Sequence, residues 1–350
     1  MNAIRRNPYC LSSYLAFRYV VDPQAEWSPG IKPNYPREST VQQQNVETVQ
    51  EVRDTVGRLV CEQAKKRTGI LLSGGMDSAI IAAMLPAGTR AYTIRFLSPG
   101  SIDESERARA YAKQCNLLHT TVEVGWPDYE KYSSVLMKAK KSPLHAVEVA
   151  LHKVALAARA DGIATLVAGN GADSTFGGMD KLLSRDYTLE SFYQRYTFVD
   201  PCKALKECVD MRHVYEPFIK DGLIDTQQFL KRVHSIGIIQ SFNNAIRSAN
   251  LDLFEPFEHV YYGKPLDLVR IRRGESKYIL RELFKELYPG IAIPDKIPFA
   301  RPMDAWLKNW PGPHRAEFRF AVDYARLSGD QRWLVHCLEE FLDMLDQNRV

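Results

Sequence analysis

Two short stretches of this sequence place acids and hydroxyls where a backbone turn could hold an anion. The first is Ser73-Gly74-Gly75-Met76-Asp77-Ser78. It follows the apolar run Ile70-Leu71-Leu72 and precedes Ala79-Ile80-Ile81-Ala82-Ala83-Met84-Leu85, so it reads as strand, tight turn and helix start. Glycines let backbone N–H groups approach a ligand closely, and a helix N-terminus adds partial positive charge, which suits phosphate oxygens. No Gly-Lys-Ser/Thr closes the turn, which excludes a Walker A loop. The second stretch is Asn170-Gly171-Ala172-Asp173-Ser174, lying between Leu166-Val167-Ala168-Gly169 and Phe176-Gly177-Gly178. In a parallel α/β sheet ligands sit beyond the carboxyl ends of the strands, so Asp77 and Asp173 can face one another across a crevice. Two carboxylates plus phosphate oxygens make the hard oxygen site that Mg²⁺ prefers. The plainer reading of the same acids is a helix-capping Asp77 and a turn-forming Asp173.

The surrounding pattern supplies elements that could position both turns. Val46, Val49, Val52, Val56, Leu59 and Val60 recur at helical spacing ahead of the first turn. Strand-like runs follow at residues 91–96, 118–124 and 164–168, separated by helix-like stretches at 79–85, 103–115 and 148–160. This alternation predicts an α/β fold, a parallel sheet with helices on both faces. Strong strand signals end near residue 185, and runs such as Phe229-Leu230-Lys231-Arg232-Val233 predict a mainly helical C-terminal half.

Ser-Gly-Gly-x-Asp-Ser after an apolar strand resembles the PP-loop of ATP pyrophosphatases, which split ATP between the α- and β-phosphates. The second turn, together with later segments, resembles the synthetase domain of the asparagine synthetase family. Those segments are Asn243-Asn244-Ala245-Ile246-Arg247, Leu251-Asp252-Leu253-Phe254-Glu255-Pro256-Phe257, Lys277-Tyr278-Ile279-Leu280-Arg281 and Ile293-Pro294-Asp295-Lys296-Ile297-Pro298-Phe299. They run in the family's order over roughly residues 46 to 310, and β-lactam-synthetase-like relatives belong to the same resemblance.

The resemblance implies an adenine nucleotide α-hydrolase-like fold and an AMP- and pyrophosphate-forming ligase that adenylates a carboxylate and couples it to an amine or ammonia. ATP and Mg²⁺ are the implied cofactors. Leu71, Ser73, Gly74, Gly75, Asp77, Ser78, Ile94, Gly171 and Asp173 would bind the nucleotide, with Asp77 and Asp173 as metal acids. Lys296 would stabilise charge on the departing pyrophosphate, with Lys277 and Arg281 as weaker candidates. Asn170 stands where the family usually has Glu, and Ser174 where an acid often follows. Glu148, in Pro143-Leu144-His145-Ala146-Val147-Glu148, is the candidate substitute base, and His145 a weaker one. A first-turn acid favoured by the helix dipole is the alternative for Glu148.

Residues 1–45 resemble the interdomain join of asparagine synthetases, through Leu15-Ala16-Phe17-Arg18-Tyr19-Val20 and Gly30-Ile31-Lys32-Pro33. Residues 46–350 are expected to form the synthetase domain, with an α/β part to about 184 and a helical part from about 185. Position 2 is Asn rather than a nucleophilic Cys, so no glutaminase activity is expected. A separate glutaminase or free ammonia is then the nitrogen source, unless the amine lies on a small-molecule substrate.

A net charge of +4 fits an anionic substrate but falls short of a nucleic-acid footprint. No apolar stretch approaches the ~20 residues that span a bilayer, and no signal-peptide core follows Arg5-Arg6. A cytoplasmic protein with no membrane partner is the expectation. The six cysteines contain no Cys-x-x-Cys, which predicts neither a zinc knuckle nor disulfides. Two other readings stay open: an RNA-acting PP-loop enzyme, and a non-catalytic nucleotide-binding protein derived from the same family.

Overall fold

The computed structural model describes residues 6–35, 42–296, 299 and 301–350. Met1-Asn2-Ala3, Ser39-Thr40-Val41 of the polar run, and Ile297 and Pro298 beside Lys296 lie outside the described residues.

A five-stranded, wholly parallel sheet carries the site. Its strands are β1 (Thr68–Leu71), β2 (Arg90–Phe96), β3 (Leu118–Val124), β4 (Thr165–Val167) and β5 (Asp252–Phe254), in spatial order β3-β2-β1-β4-β5. Side chains alternate along each strand as pleating requires. Ile70 and Val167 join one core, whereas Tyr92 and Leu166 join the other. The register fixes this, pairing Ile70 with Val167 and Leu71 with Tyr92.

On the first face pack α2 (Val49–Ala64), α3 (Met76–Ala82), α4 (Ser105–Gln114) and the later helix 278–287, through Val52, Val56, Ile80, Tyr111, Leu283 and Phe284. Burying one stripe of an amphipathic helix gives most of its stability, and the valine spacing in α2 is that stripe. On the second face pack α6 (Glu148–Ala160) and helix 235–247, through Val154, Ala155, Ala158 and Ile246. Before α6 in the chain runs α5 (Trp126–Lys140).

A separate core joins the two ends of the described chain. Helix α1 (Pro8–Phe17) buries Cys10, Leu11, Tyr14 and Leu15 in the same cluster as Trp333, Leu334, Leu338 and Phe341 of helix Gly329–Asp346. Asn7 caps the first of these helices by accepting from the Tyr9 N–H at 3.0 Å, and Ser328 forms a capping box with Gln331 on the second.

Two expectations need correcting. The sheet does not end with the α/β stretch: β5 comes from the helical half and pairs with β4, Leu253 opposite Leu166. Three residues carry no readable alternation, and pairing with β4 rather than local propensity makes them a strand. Cys202 and Cys208 form a disulfide across a sequence separation of 6, their Cα atoms 5.2 Å apart. The one-turn helix Pro201–Ala204 begins at this pair, so the chain can fold back within a spacing that the Cys-x-x-Cys pattern does not cover. No helix among the described residues is long and apolar enough to cross a membrane.

Candidate active site

The strand order reverses between β1 and β4, since β2 and β3 extend to one side and β5 to the other. Loops leaving neighbouring strands on either side of such a switch point diverge and open a crevice. The two acid-bearing turns are those two loops.

After β1, Ser73 Oγ and Ser78 Oγ stand 2.9 Å apart, and the Gly75 N–H donates to Ser73 Oγ at 3.1 Å. The turn is therefore fixed by its own hydroxyls before any ligand arrives. A Cβ at Gly74 would meet Glu104 Cβ at 2.9 Å, so the loop lies too close to its neighbour for a side chain. After β4, Gly171 adopts φ +88°, a left-handed conformation that favours glycine. Gly169 packs on the start of α3, where an added Cβ would sit 3.2 Å from that of Asp77.

Asp77 and Asp173 meet across the crevice. Lys277 Nζ donates to both Asp77 oxygens at 2.8 and 2.6 Å and lies 3.0 Å from Asp173 Oδ1. Lys296 Nζ reaches the same Asp173 oxygen at 2.9 Å and the carbonyl of Gly178. Burial pushes the Asp77 carboxyl up against the pull of Lys277. Burial acts likewise on Asp173, but Lys277 and Lys296 outweigh it and hold that carboxyl well below its usual range. The Lys277 ammonium is opposed by burial, yet the two aspartates raise it above its ordinary value.

Lys277 is the residue that the sequence undervalued. It is 6% exposed, holds φ +52° ahead of helix Tyr278–Leu287, and bridges both acids. Its position in Lys-x-x-Leu-Arg was the available signal. Both acids reach one cationic nitrogen, so the donor pair is of the kind that suits a hard cation. No group of three or more His, Cys, Asp or Glu is placed to hold a metal among the described residues.

A cavity of about 350 Å³ opens from these loops. Leu71, Ser73, Asp77, Ser78, Ile94, Asn170 and Asp173 line it, together with Thr93, Glu104, His145 and Phe242. Gly74, Gly75 and Gly171 shape the loops at its edge, and Lys296 contacts its wall at Asp173. Asn170 Nδ2 donates to Glu255 Oε1 at 2.5 Å. A carboxylate only accepts, so the amide oxygen is the end of Asn170 left for the cavity.

Glu148 does not occupy the place expected of a base. It is fully buried and outside the cavity lining. Oε1 accepts from Lys140 Nζ at 2.5 Å and from the His145 N–H at 2.7 Å, while Oε2 accepts from Asn244 Nδ2 at 2.6 Å. A carboxylate with three donors and no route to solvent is a poor proton shuttle. It is a good tie, fixing residues 143–147 to α5 and to helix 235–247. His145 lines the cavity, where burial and the neighbouring Arg18 keep it neutral.

Residues 49–233, more than half of the chain, match the asparagine synthase family. No curated protein matches. Among solved structures, a protein from Methanocaldococcus jannaschii described as a predicted subunit of tRNA methyltransferase is 18% identical, with a TM-score of 0.25, covering 63% of this chain and 74% of its own. A U34-tRNA thiolase, NcsA, from Methanococcus maripaludis is 13% identical, with a TM-score of 0.25, covering 71% of this chain and 82% of its own.

Proposed function

The chain belongs to the asparagine synthase family, and from that premise we propose that it is an ATP-dependent, AMP-forming ligase joining a carboxylate to an amine or ammonia. The observation that carries this reading is the convergence of Ser73, Asp77, Ser78, Asp173, Lys277 and Lys296 at the switch point of the sheet.

A carboxylate oxygen of the substrate attacks the α-phosphorus of ATP, the bond to the β-phosphate oxygen breaks, and pyrophosphate leaves. The amine nitrogen then attacks the acyl carbon of the mixed anhydride and AMP departs. Negative charge grows on the phosphoryl oxygens in the first step, and fixed cations facing that charge lower the barrier. Lys296 and Lys277 are those cations, since both already sit against the acids of the crevice. The Ser73–Ser78 hydroxyl pair and the N–H groups of the turn hold phosphate oxygens. Mg²⁺, held by Asp77 and Asp173, would supply charge neutralisation on the phosphates. Leu71, Thr93 and Ile94 give the adenine an apolar wall with backbone polar groups. The Asn170 oxygen can accept an N–H from the incoming amine and so orient it, but a neutral amide takes no proton at neutral pH.

The test is product identity. The purified chain incubated with ATP, Mg²⁺ and a panel of carboxylic acids should yield AMP and pyrophosphate in equal amounts. Formation of ADP and phosphate would sink the adenylation chemistry.

A further inference from the structure

The disulfide between Cys202 and Cys208 closes a loop that ties α1 to the end of the chain. Cys202 is exposed, whereas Cys208 is half-buried against the core shared by α1 and helix Gly329–Asp346. Just before the bridge, the Phe198 and Val199 N–H groups donate to the Ala16 and Leu15 carbonyls at 3.2 and 3.0 Å. Those carbonyls lie in the last turn of α1, where a helix offers them no partner of its own. Just after the bridge, the Val209 N–H donates to the hydroxyl of the fully buried Ser12 at 2.9 Å. Within the loop, the Lys206 N–H donates to the Glu317 carbonyl at 2.9 Å, and the Arg319 N–H donates to the Ala204 carbonyl at 2.8 Å.

This loop also backs one wall of the cavity. The Arg18 guanidinium lies 3.9 Å from the centroid of the Phe198 ring, and Arg18 lines the cavity beside His145. The Arg18 N–H donates to the Tyr14 carbonyl of α1 at 2.7 Å, and the Phe198 carbonyl accepts from Gln331 Nε2 of helix Gly329–Asp346. All of these bonds run to α1, to residues 317–319 or to Gln331, and none of them to the acid-bearing turns. A bridge across a sequence separation of 6 restricts the unfolded chain less than a long-range one, so it adds less to global stability. Its hold is local: it fixes the spacing of the two stretches that grip α1.

We propose that the Cys202–Cys208 bridge is a thiol-operated switch for this wall of the cavity. Closed, it clamps residues 198–209 onto α1; opened, it frees them and loosens Arg18 and Phe198. The co-reactant is a dithiol. Its thiolate attacks the exposed Cys202 sulfur, the S–S bond breaks, and Cys208 leaves as a thiolate that takes up a proton. The second thiol of the reagent then attacks the mixed disulfide, releasing Cys202 as a thiol. Two electrons pass to the bridge, and the dithiol leaves as its own disulfide. Lys203 and Lys206, both exposed in the loop, attract the incoming thiolate. Cys10 and Cys337 are buried, so their protection from alkylation reports that the fold survives the opening.

The test titrates the full chain with reduced and oxidised dithiothreitol, reads each cysteine by alkylation and peptide mass, and measures amide hydrogen exchange in both states. The bridge should open with Cys10 and Cys337 still unlabelled. Amides of residues 12–18 and 198–209 should then exchange about tenfold or more faster, with residues 70–78 and 166–173 unchanged. Oxidised reagent should reverse the change. A Cys202→Ser, Cys208→Ser double variant should show the fast exchange permanently and no response to dithiol. Opening without any change in exchange overturns the switch. So does acceleration of all segments together, a double variant that fails to fold, or a bridge that opens only on unfolding, each of which marks a structural staple. A response to dithiol that persists in the double variant also overturns it. One further readout rests on the ligase reading: with an acid that releases pyrophosphate, opening should raise the KM for the acid about fivefold or more and leave the KM for ATP unchanged. Pyrophosphate release from no acid would remove the ligase reading, while hydrogen exchange alone decides the switch.

Discussion

The two ends of the cavity are assembled by different means. The proposed phosphate end is shaped by two contiguous loops, each leaving one of two adjacent strands, with Lys277 and Lys296 brought to their acids from later in the chain. The far end is gathered from residues 18, 145, 234, 299 and 301, which no single motif contains. The phosphate end lies largely inside the segment that matches the family, whereas Arg18, Phe299 and Arg301 lie outside it. The contrast suggests a division of labour. Chemistry shared by a family can be held by loops on a rigid sheet, and selectivity can be built by elements wrapped around that sheet.

The largest expected effect tests the phosphate end. Asp77→Ala or Asp173→Ala should lower the rate of pyrophosphate release by about 10³-fold, and a chelator should abolish turnover by the unmodified protein. Turnover insensitive to both would remove the crevice acids from the mechanism.

Next comes the tie between the two ends. Lys140 and Glu148 are both fully buried and 2.5 Å apart. Removing one partner of a buried ion pair costs about 3–5 kcal/mol. Glu148→Gln should therefore lower unfolding free energy measured in urea by about 3 kcal/mol, with the His145 segment loosened. A fully stable Gln variant defective only in amine transfer would instead restore Glu148 as a base.

Lys296→Met, which spares the fold at a half-exposed position, should cut the adenylation rate by about 10²-fold with less change in ATP affinity. An unaltered rate would leave Lys277 as the sole cation acting on the phosphates.

The smallest effect sharpens the far end. Burial of His234, with the repulsion of Arg18 and Lys296, depresses its titration to about 3. A base depressed in the folded state favours folding above its unfolded value, near 6.5, and that contribution fades as pH falls toward the folded one. Between pH 7 and pH 5 the protein should lose about 1 kcal/mol from this group, allowing for the part of the ring that faces solvent in the cavity. His234→Gln should flatten that part of the urea-midpoint profile, and an unchanged slope would assign the pH dependence elsewhere.

Much of the geometry of the acid-bearing crevice was legible in the residues alone. Ser73 to Ser78 and Gly169 to Asp173 need only local turn geometry, and parallel strands then bring them together. Lys277 was harder, because a lysine at the start of an amphipathic helix looks solvated until the tertiary fold buries it between two acids. Arg18 was illegible, since nothing in Leu15-Ala16-Phe17-Arg18-Tyr19 says what will stand opposite. Glu148 misled for the same reason: its helix position is readable from sequence, but the Lys140 and Asn244 donors that immobilise it arrive from other elements.

The packing of helix Pro8–Phe17 against Gly329–Asp346 sets a timetable for biosynthesis. The parallel sheet can close once residue 254 has emerged, but the cluster that buries Leu11, Tyr14 and Leu15 stays incomplete until Leu334, Leu338 and Phe341 exist. Helix Pro8–Phe17 therefore waits for helix Gly329–Asp346 to complete its cover. Arg18 is tied to helix Pro8–Phe17 through the Tyr14 carbonyl, so a nascent chain can acquire the loops bearing Asp77 and Asp173 before it acquires the opposite wall of the cavity.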